Sequence, residues 1–230
     1  MNNLNVTVVI TNYNHERYLS QALASVARQT VFPFETIVID DGSRTLPKLE
    51  GLLWANTTVV YAPHRGVGAA LNTAISMMRG NILCWLPADD MWKPNKLERQ
   101  TELAIQNPGC VLHSYCMVYH GDEPDHVGIV PELSDTEFAK KIRISSPYYA
   151  NTFWIPKEIL QTVGPFREDV PASEDYEWVL RSVVLHGVKY RLQKEALTIK
   201  RKHQDSLAVT KGHLVPSLVA QFNSEVSHRL

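Results

Sequence analysis

The sequence predicts an α/β fold, a mostly parallel sheet flanked by helices, from three observations. Apolar, β-branched runs alternate with amphipathic stretches of helical period through the first half of the chain. Two of those runs end on paired acids, Ile37-Val38-Ile39-Asp40-Asp41-Gly42 and Cys84-Trp85-Leu86-Pro87-Ala88-Asp89-Asp90. Gly, Pro and Asn punctuate the joints between runs.

Each element has its own signal. Val6-Thr7-Val8-Val9-Ile10-Thr11 reads as a buried strand. Asn12-Tyr13-Asn14 reads as a turn, and a helix over 16–29 carries Leu19, Leu23, Val26 and Ala27 on one face. A second strand covers 35–40, with Asp41-Gly42 turning the chain after it. A short helix is expected over 47–54 and a third strand over 58–61. Gly66-Val67-Gly68 opens a helix over 69–78 that Gly80 ends. The fourth strand is 82–86, and Pro94 suits the first turn of a helix reaching Gln106. The second half is less regular. It offers a long strand over 110–119, a polar excursion or lid over 121–146, and strand-like residues 151–155. A helix over 174–186 stopped by Gly187, a short strand over 196–200 and a terminal amphipathic helix over 213–230 follow.

Composition narrows the function. A formal net charge of −1 gives no general attraction to nucleic acid. No apolar segment reaches the ~20 residues of a bilayer span, and Met1-Asn2-Asn3-Leu4-Asn5 has no signal-peptide character. Cys84, Cys110 and Cys116 have no zinc-finger spacing and read as buried free thiols of a cytoplasmic protein.

The acidic strand ends carry the chemistry. In an open α/β sheet, ligands sit at the carboxyl ends of the strands. Adjacent carboxylates repel unless a positive charge compensates them, and a divalent cation carrying a phosphate is the natural partner. Taken alone, Asp-Asp-Gly-Ser is also an ordinary turn. Ser173-Glu174-Asp175 opens a helix, where its acids either complement the helix dipole or supply a general base facing the sheet. Lys200-Arg201-Lys202-His203 is either a solvated strand end or a cluster that meets a diphosphate, with His203 as a metal ligand. His64-Arg65-Gly66-Val67-Gly68 is a Gly-rich helix entry of low specificity by itself.

In order and spacing, these stretches resemble family 2 glycosyltransferases of the GT-A fold, which is Rossmann-like. The resemblance runs from residue 6 to residue 206. It also rests on Val8-Val9-Ile10-Thr11-Asn12-Tyr13-Asn14, Gln29-Thr30, residues 66–72, residues 85–94 and Val163-Gly164-Pro165-Phe166. It implies one glycosyltransferase domain over 1–212, with a nucleotide-binding half (1–109) and an acceptor-binding half (110–212), and a tail over 213–230. Thr11 and Tyr13 then border the nucleotide base, Asp41 or Asp40 hydrogen-bonds it, and Arg65 lies near the nucleotide. Asp89 and Asp90 end an Asp-x-Asp motif that holds Mg²⁺ or Mn²⁺ on the donor diphosphate, with His203 closing over the metal. Asp175 matches the base of inverting members. The family's first acid is replaced by Pro87, which puts the ribose contacts in doubt and leaves Asp89 and Asp90 as alternatives for the metal.

The expected activity is inverting transfer of a sugar, a hexose in the first instance, from a nucleoside-diphosphate sugar to an acceptor hydroxyl. The setting is polysaccharide or glycoconjugate synthesis. The acceptor is a saccharide, a lipid-linked group or a protein, which is compatible with peripheral contact with a membrane. Arg201 or Lys202 would help neutralise the diphosphate, and Trp92, Trp154 and residues 121–146 would wall the site. Two other classes compete. A nucleotidyltransferase would show a basic Gly-rich loop after the first strand, where this chain has Asn12-Tyr13-Asn14-His15. A non-catalytic sugar-nucleotide binder is motivated by Pro87.

Overall fold

The computed structural model describes residues 4–47, 49–51 and 53–229. Its core is one mixed sheet in the order β3-β2-β1-β4-β8-β6-β9-β5. The strands are β1 (Val6–Asn12), β2 (Glu35–Asp40), β3 (Thr57–Tyr61), β4 (Ile82–Pro87), β5 (Met91–Trp92), β6 (Val111–His120), β7 (Glu123–Gly128), β8 (Trp154–Pro156) and β9 (Tyr190–Lys202). The helices are α1 (Glu16–Ala27), α2 (Val67–Met77), α3 (Lys96–Gln106), α4 (Asp135–Ile142), α5 (Lys157–Val163), α6 (Glu174–His186), α7 (Leu207–Thr210) and α8 (Val215–Ser227).

Strands β3, β2, β1 and β4 run parallel, as the alternating pattern predicts. β6 and β9 form a second parallel ladder, while β8 joins β4 and β6 antiparallel. Every residue of β1 and β2 is buried. That is what a parallel strand covered on both faces requires. On one face α1 and α3 pack Leu19, Leu23, Val26 and Leu97 against Val8, Ile10, Cys84 and Trp154. On the other, α2, α4, α5, α6 and α8 cover Val9, Ile37, Leu83 and Val111. The terminal helix belongs to that core, with Leu218, Phe222 and Val226 buried.

Several expectations need correction. Residues 47–54 show a turn at Glu50-Gly51 and no helix among their described members, with Gly51 at φ +72°; Lys48 and Leu52 lie outside the described residues. The 121–146 segment is no loose excursion. It contains β7, which pairs antiparallel with β6, and α4, whose start is a capping box between Ser134 and Glu137. Residues 150–152 form a 3-10 turn ahead of the short β8. The short strand over 196–200 is the middle of the 13-residue β9. Trp92 and Trp154 are core residues, 3% and 0% exposed, and cannot wall a substrate. All three cysteines are free and buried.

Candidate active site

The parallel ladders place two acidic strand ends side by side. Asn12 of β1 pairs with Asp40 of β2, and Thr11 pairs with Pro87 of β4. Just beyond, the Asp41 amide donates to the Asn12 carbonyl (2.8 Å) and the Ala88 amide to the Thr11 carbonyl (3.0 Å). Asp41 and Asp89 therefore leave the sheet at one edge, on either side of β1. Thr11 is held in place by the Trp85 indole N–H, 2.9 Å from its hydroxyl.

The two acids after β2 have different tasks. Asp40 accepts from Asn12 Nδ2 (2.7 Å) and from the amide and hydroxyl of Ser43 (3.0 and 2.8 Å), which closes the turn. Asp41 accepts from the amides of Arg65 and Gly66, both at 2.9 Å, and its Oδ2 lies 2.8 Å from His64 Nδ1. A buried carboxylate thus fixes the loop that enters α2. Gly42 permits the approach, since a Cβ there would lie 2.6 Å from the His64 amide nitrogen and φ is +75°. Tyr13 stacks on the His64 ring at 3.8 Å and 10° and remains 39% exposed, an aromatic platform at the sheet edge. The Arg65 guanidinium pairs with Glu168.

The acids after β4 diverge too. Asp90 is buried and turned inward, accepting from Asn151 Nδ2 (2.7 Å) and the Arg201 amide (2.9 Å). Burial, and then the charge of Asp89, push its carboxyl well above the usual range. Asp89 faces outward to two imidazoles. Its Oδ2 is 3.1 Å from His203 Nε2 and 3.9 Å from His15 Nδ1. Burial opposes ionisation of Asp89. The His203 hydrogen bond and the fields of His15 and His203 outweigh it and hold the group below its ordinary value. His15 is itself lowered, by burial first, against the pull of Asp89.

The ligand atoms of His15, Asp89 and His203 all lie within 4.8 Å of one another. Two imidazoles and a carboxylate are a donor set that suits a divalent cation. His203 Nδ1 is buried with no hydrogen-bond partner among the described residues, so its ring is not fully committed to the protein. The residues present therefore fit the metal that the resemblance implies.

Arg201 is not available to a diphosphate. Strand alternation in β9 turns it inward, 1% exposed, where it donates to the carbonyls of Asp89 and Gly121 (both 3.0 Å) and to Gln21 (2.5 Å) and Asp122 (2.9 Å). Its guanidinium sits 4.4 Å from the centre of the Tyr18 ring. Lys202 is exposed, at the free end of the strand.

Asp175 opens α6 behind a strained residue. Ser173 is left-handed at φ +63° and makes no side-chain cap, contrary to the capping role that its sequence position suggests. Such backbone is held only where its surroundings over-determine it. Here Arg181 ties α6 to the preceding loop through the carbonyls of Val163 and Pro165, and pairs with Glu177 at 2.9 Å. The Trp178 indole donates to the Gly164 carbonyl (3.0 Å) and stacks on Phe166 at 5.2 Å. The shared stretch Val163-Gly164-Pro165-Phe166 is thus the seat of α6. Asp175 is half-buried, while Glu174 is only 5% exposed. Burial raises both carboxyls, Glu174 to about 7. Lys200 pulls Asp175 back and acts in the same sense on Asp90, so one ammonium lies within electrostatic reach of both.

The sequence marks Asp41, Asp89, His203 and Asp175 as candidates, and the structure adds His15, His64 and Lys200 beside them. His15 and His64 lie in the irregular segments that lead into α1 and α2, where no periodicity marks a side chain's direction. Lys200 was visible only as one of a basic run.

Comparison with known proteins follows the same lines. The sequence profile of glycosyl transferase family 2 matches residues 7–164. An uncharacterized glycosyltransferase of Rickettsia prowazekii is 29% identical over 180 residues, 75% of this chain and 56% of that protein. The Escherichia coli UDP-Glc:alpha-D-GlcNAc-diphosphoundecaprenol beta-1,3-glucosyltransferase WfgD is 30% identical over 105 residues, 44% of this chain and 42% of that one. Among solved structures, S. aureus TarS 1-349 in complex with UDP-GlcNAc superposes with a TM-score of 0.73 at 20% identity, covering 94% of this chain and 66% of TarS 1-349. The fold is therefore GT-A. The chain spans 56% and 64% of the length of two rickettsial relatives.

Proposed function

We propose, from the premise that this chain belongs to glycosyl transferase family 2, that it moves a sugar from a nucleoside-diphosphate sugar to an acceptor hydroxyl with inversion at the anomeric carbon. The observation that carries this reading is the arrangement at one sheet edge. Asp89 with two imidazoles stands beside the Asp41-fixed loop and the exposed Tyr13 ring, and a base-competent Asp175 opens α6.

Tyr13 and the loop after β3 receive the nucleotide base, with Arg65 at the rim. Asp89 and His203 hold Mg²⁺ or Mn²⁺, which when bound neutralises charge on the departing diphosphate. Asp90 stays with Asn151 and Arg201 and sets the turn on which Asp89 stands. Asp175 takes the acceptor's proton; its raised pKa suits a general base working near neutral pH. A single displacement leaves no covalent sugar on the protein. The UDP-GlcNAc bound to TarS 1-349 and the UDP-Glc donor of WfgD support a UDP-sugar, a hexose or its N-acetyl form, as donor. The diphosphoundecaprenol-linked acceptor in the name of WfgD supports a saccharide or lipid-linked acceptor, in polysaccharide or glycoconjugate synthesis. No described helix is long and apolar enough to cross a membrane.

The test is thermal unfolding with UDP, UDP-glucose and UDP-N-acetylglucosamine, with and without Mn²⁺, followed by NMR of the released sugar. Nucleotide and metal together should stabilise the fold by about 2.7 kcal/mol at a hundredfold excess over Kd. The sugar, on an acceptor or on water, should appear with inverted configuration. Absence of any metal-dependent stabilisation would sink the reading. Binding without sugar release to any acceptor or water would reduce the protein to a sugar-nucleotide binder, the class that Pro87 keeps in play.

A further inference from the structure

The donor-site reading above places a metal on Asp89 and His203, and the next inference rests on it. We propose that His15 is a third protein ligand of that metal, and that the resulting two-histidine, one-carboxylate set selects a first-row transition ion such as Mn²⁺ or Co²⁺ over Mg²⁺.

Geometry argues first. His15 is the N-cap residue of α1, and its carbonyl accepts the amides of Tyr18 (2.9 Å) and Leu19 (3.2 Å). Its position is thus set by the helix and not by its own side chain. From there the ring reaches across the sheet edge, its centre 5.0 Å from that of His203 and its plane at 85° to it. Nδ1 points at the same Asp89 oxygen that His203 faces. Three donors from three distant segments, at 15, 89 and 203, converge within 4.8 Å. Ligand atoms around one ion at about 2.1 Å stand roughly 3–3.5 Å apart, so the set needs only a small contraction.

The ring has no other evident task. Among the described residues it makes no hydrogen bond; its ring neighbours are His203 and Tyr18, Asp89 lies at 3.9 Å, and Arg17 and Asp205 are within electrostatic reach. The ring is 19% exposed, so water can serve its nitrogens in the free protein and a cation can take the place of that water. Ligand chemistry then fixes the ion. Imidazole suits the first-row ions from Fe²⁺ to Zn²⁺, with Mn²⁺ the weakest of the series and also at home on carboxylates, while Mg²⁺ prefers oxygen donors and keeps its waters. A site of Asp89, His203 and waters would discriminate weakly. A second imidazole moves it toward the transition series.

The experiment is titration of the UDP-saturated protein with Co²⁺ and with Mg²⁺, read by visible absorption and calorimetry, for wild type, His15→Gln and Asp89→Asn. His15→Gln should weaken Co²⁺ by at least about tenfold and shift its absorption bands, while changing Mg²⁺ affinity by no more than about twofold. Pulsed EPR of Mn²⁺ on the wild type, which needs no variant, should count two imidazole nitrogens. One nitrogen, or Co²⁺ spectrum and affinity unchanged in His15→Gln while Asp89→Asn loses the metal, would overturn the role of His15 and leave the Asp89 metal in place. Equal losses for Co²⁺ and Mg²⁺ would overturn the selectivity. No effect of Asp89→Asn either would remove the metal reading itself.

Discussion

Asp175→Asn will fold, bind the donor as the wild type does and lose about 10²–10⁴ of its turnover. An amide has the same shape but cannot accept a proton at neutral pH. The effect should lie in kcat, with donor affinity unchanged, because Asp175 stands at the head of α6 and not among the groups around Asp89. Glu174 is the control. Adjacent helical positions point about 100° apart, and Glu174 is the one withdrawn into the core. Glu174→Gln should keep most of its turnover and gain stability instead. In the folded chain the Glu174 carboxyl is raised from 4.5 to about 7. The native state therefore holds its proton through that window while the unfolded chain releases it, so wild-type stability falls as pH rises between these values and is flat beyond. Glu174→Gln removes that loss. It should match wild type near pH 4 and exceed it by about 1–3 kcal/mol at pH 8. Turnover of Asp175→Asn near that of wild type would reject the base assignment, and a dead Glu174→Gln beside it would move the base by one residue.

The second large effect is structural. Trp178→Ala should cost about 3–5 kcal/mol, since a fully buried indole is replaced by a cavity. It also removes the Phe166 stack and leaves the Gly164 carbonyl without the indole N–H. Trp178→Phe keeps the ring and drops the hydrogen bond, for a loss of about 1–2 kcal/mol. Urea unfolding with an unchanged m-value measures both. A loss below about 1 kcal/mol for Trp178→Ala would mean that α6 is seated by Arg181 alone.

The first half of the fold was legible because its central strands β1 and β2 are buried on both faces and its helices have one wet side. Val6 to Asn12 is an unbroken apolar or small-polar run, and Glu35 to Asp40 holds Thr36-Ile37-Val38-Ile39 between two acids. Past residue 110 the strands face solvent unevenly. β9 carries Arg191, Gln193, Lys194 and Glu195 on partly exposed positions, so only its apolar middle read as strand. β7 is exposed at five of its six residues and has no alternation to detect. α5, seven residues long, is too short for a helical period to show. Among the candidate site residues, Asp89 and Asp175 stand out in the sequence because they lie at the ends of patterned elements. The separation of Asp89 from Asp90 does not, because it depends on Asn151 and on the Arg201 amide, both remote in sequence. The inward turn of Arg201 was likewise hidden, since β9 read as strand only over 196–200 and its pairing with β6 shifts register near Tyr115.

Arg201 has a consequence for the order of assembly. It joins helix α1 at Gln21, the turn at Asp89 and the hairpin at Gly121-Asp122, and its amide seats Asp90. These contacts span up to 180 residues of chain. Loops that long close late, because their entropy is spent before the contact returns anything. The platform of Tyr13, Asp41 and His64 needs only residues up to about 66 and is free to form early. The diphosphate end waits for β9. During synthesis the chain should thus own a pocket for the base well before it owns an anchor for the phosphates, gaining the second only when residues 201–203 arrive. Pulse-labelled hydrogen exchange during refolding would show this as protection at Asp41 and Gly66 preceding that at Asp90 and Arg201. Simultaneous protection would mean that the two ends of the site are born together.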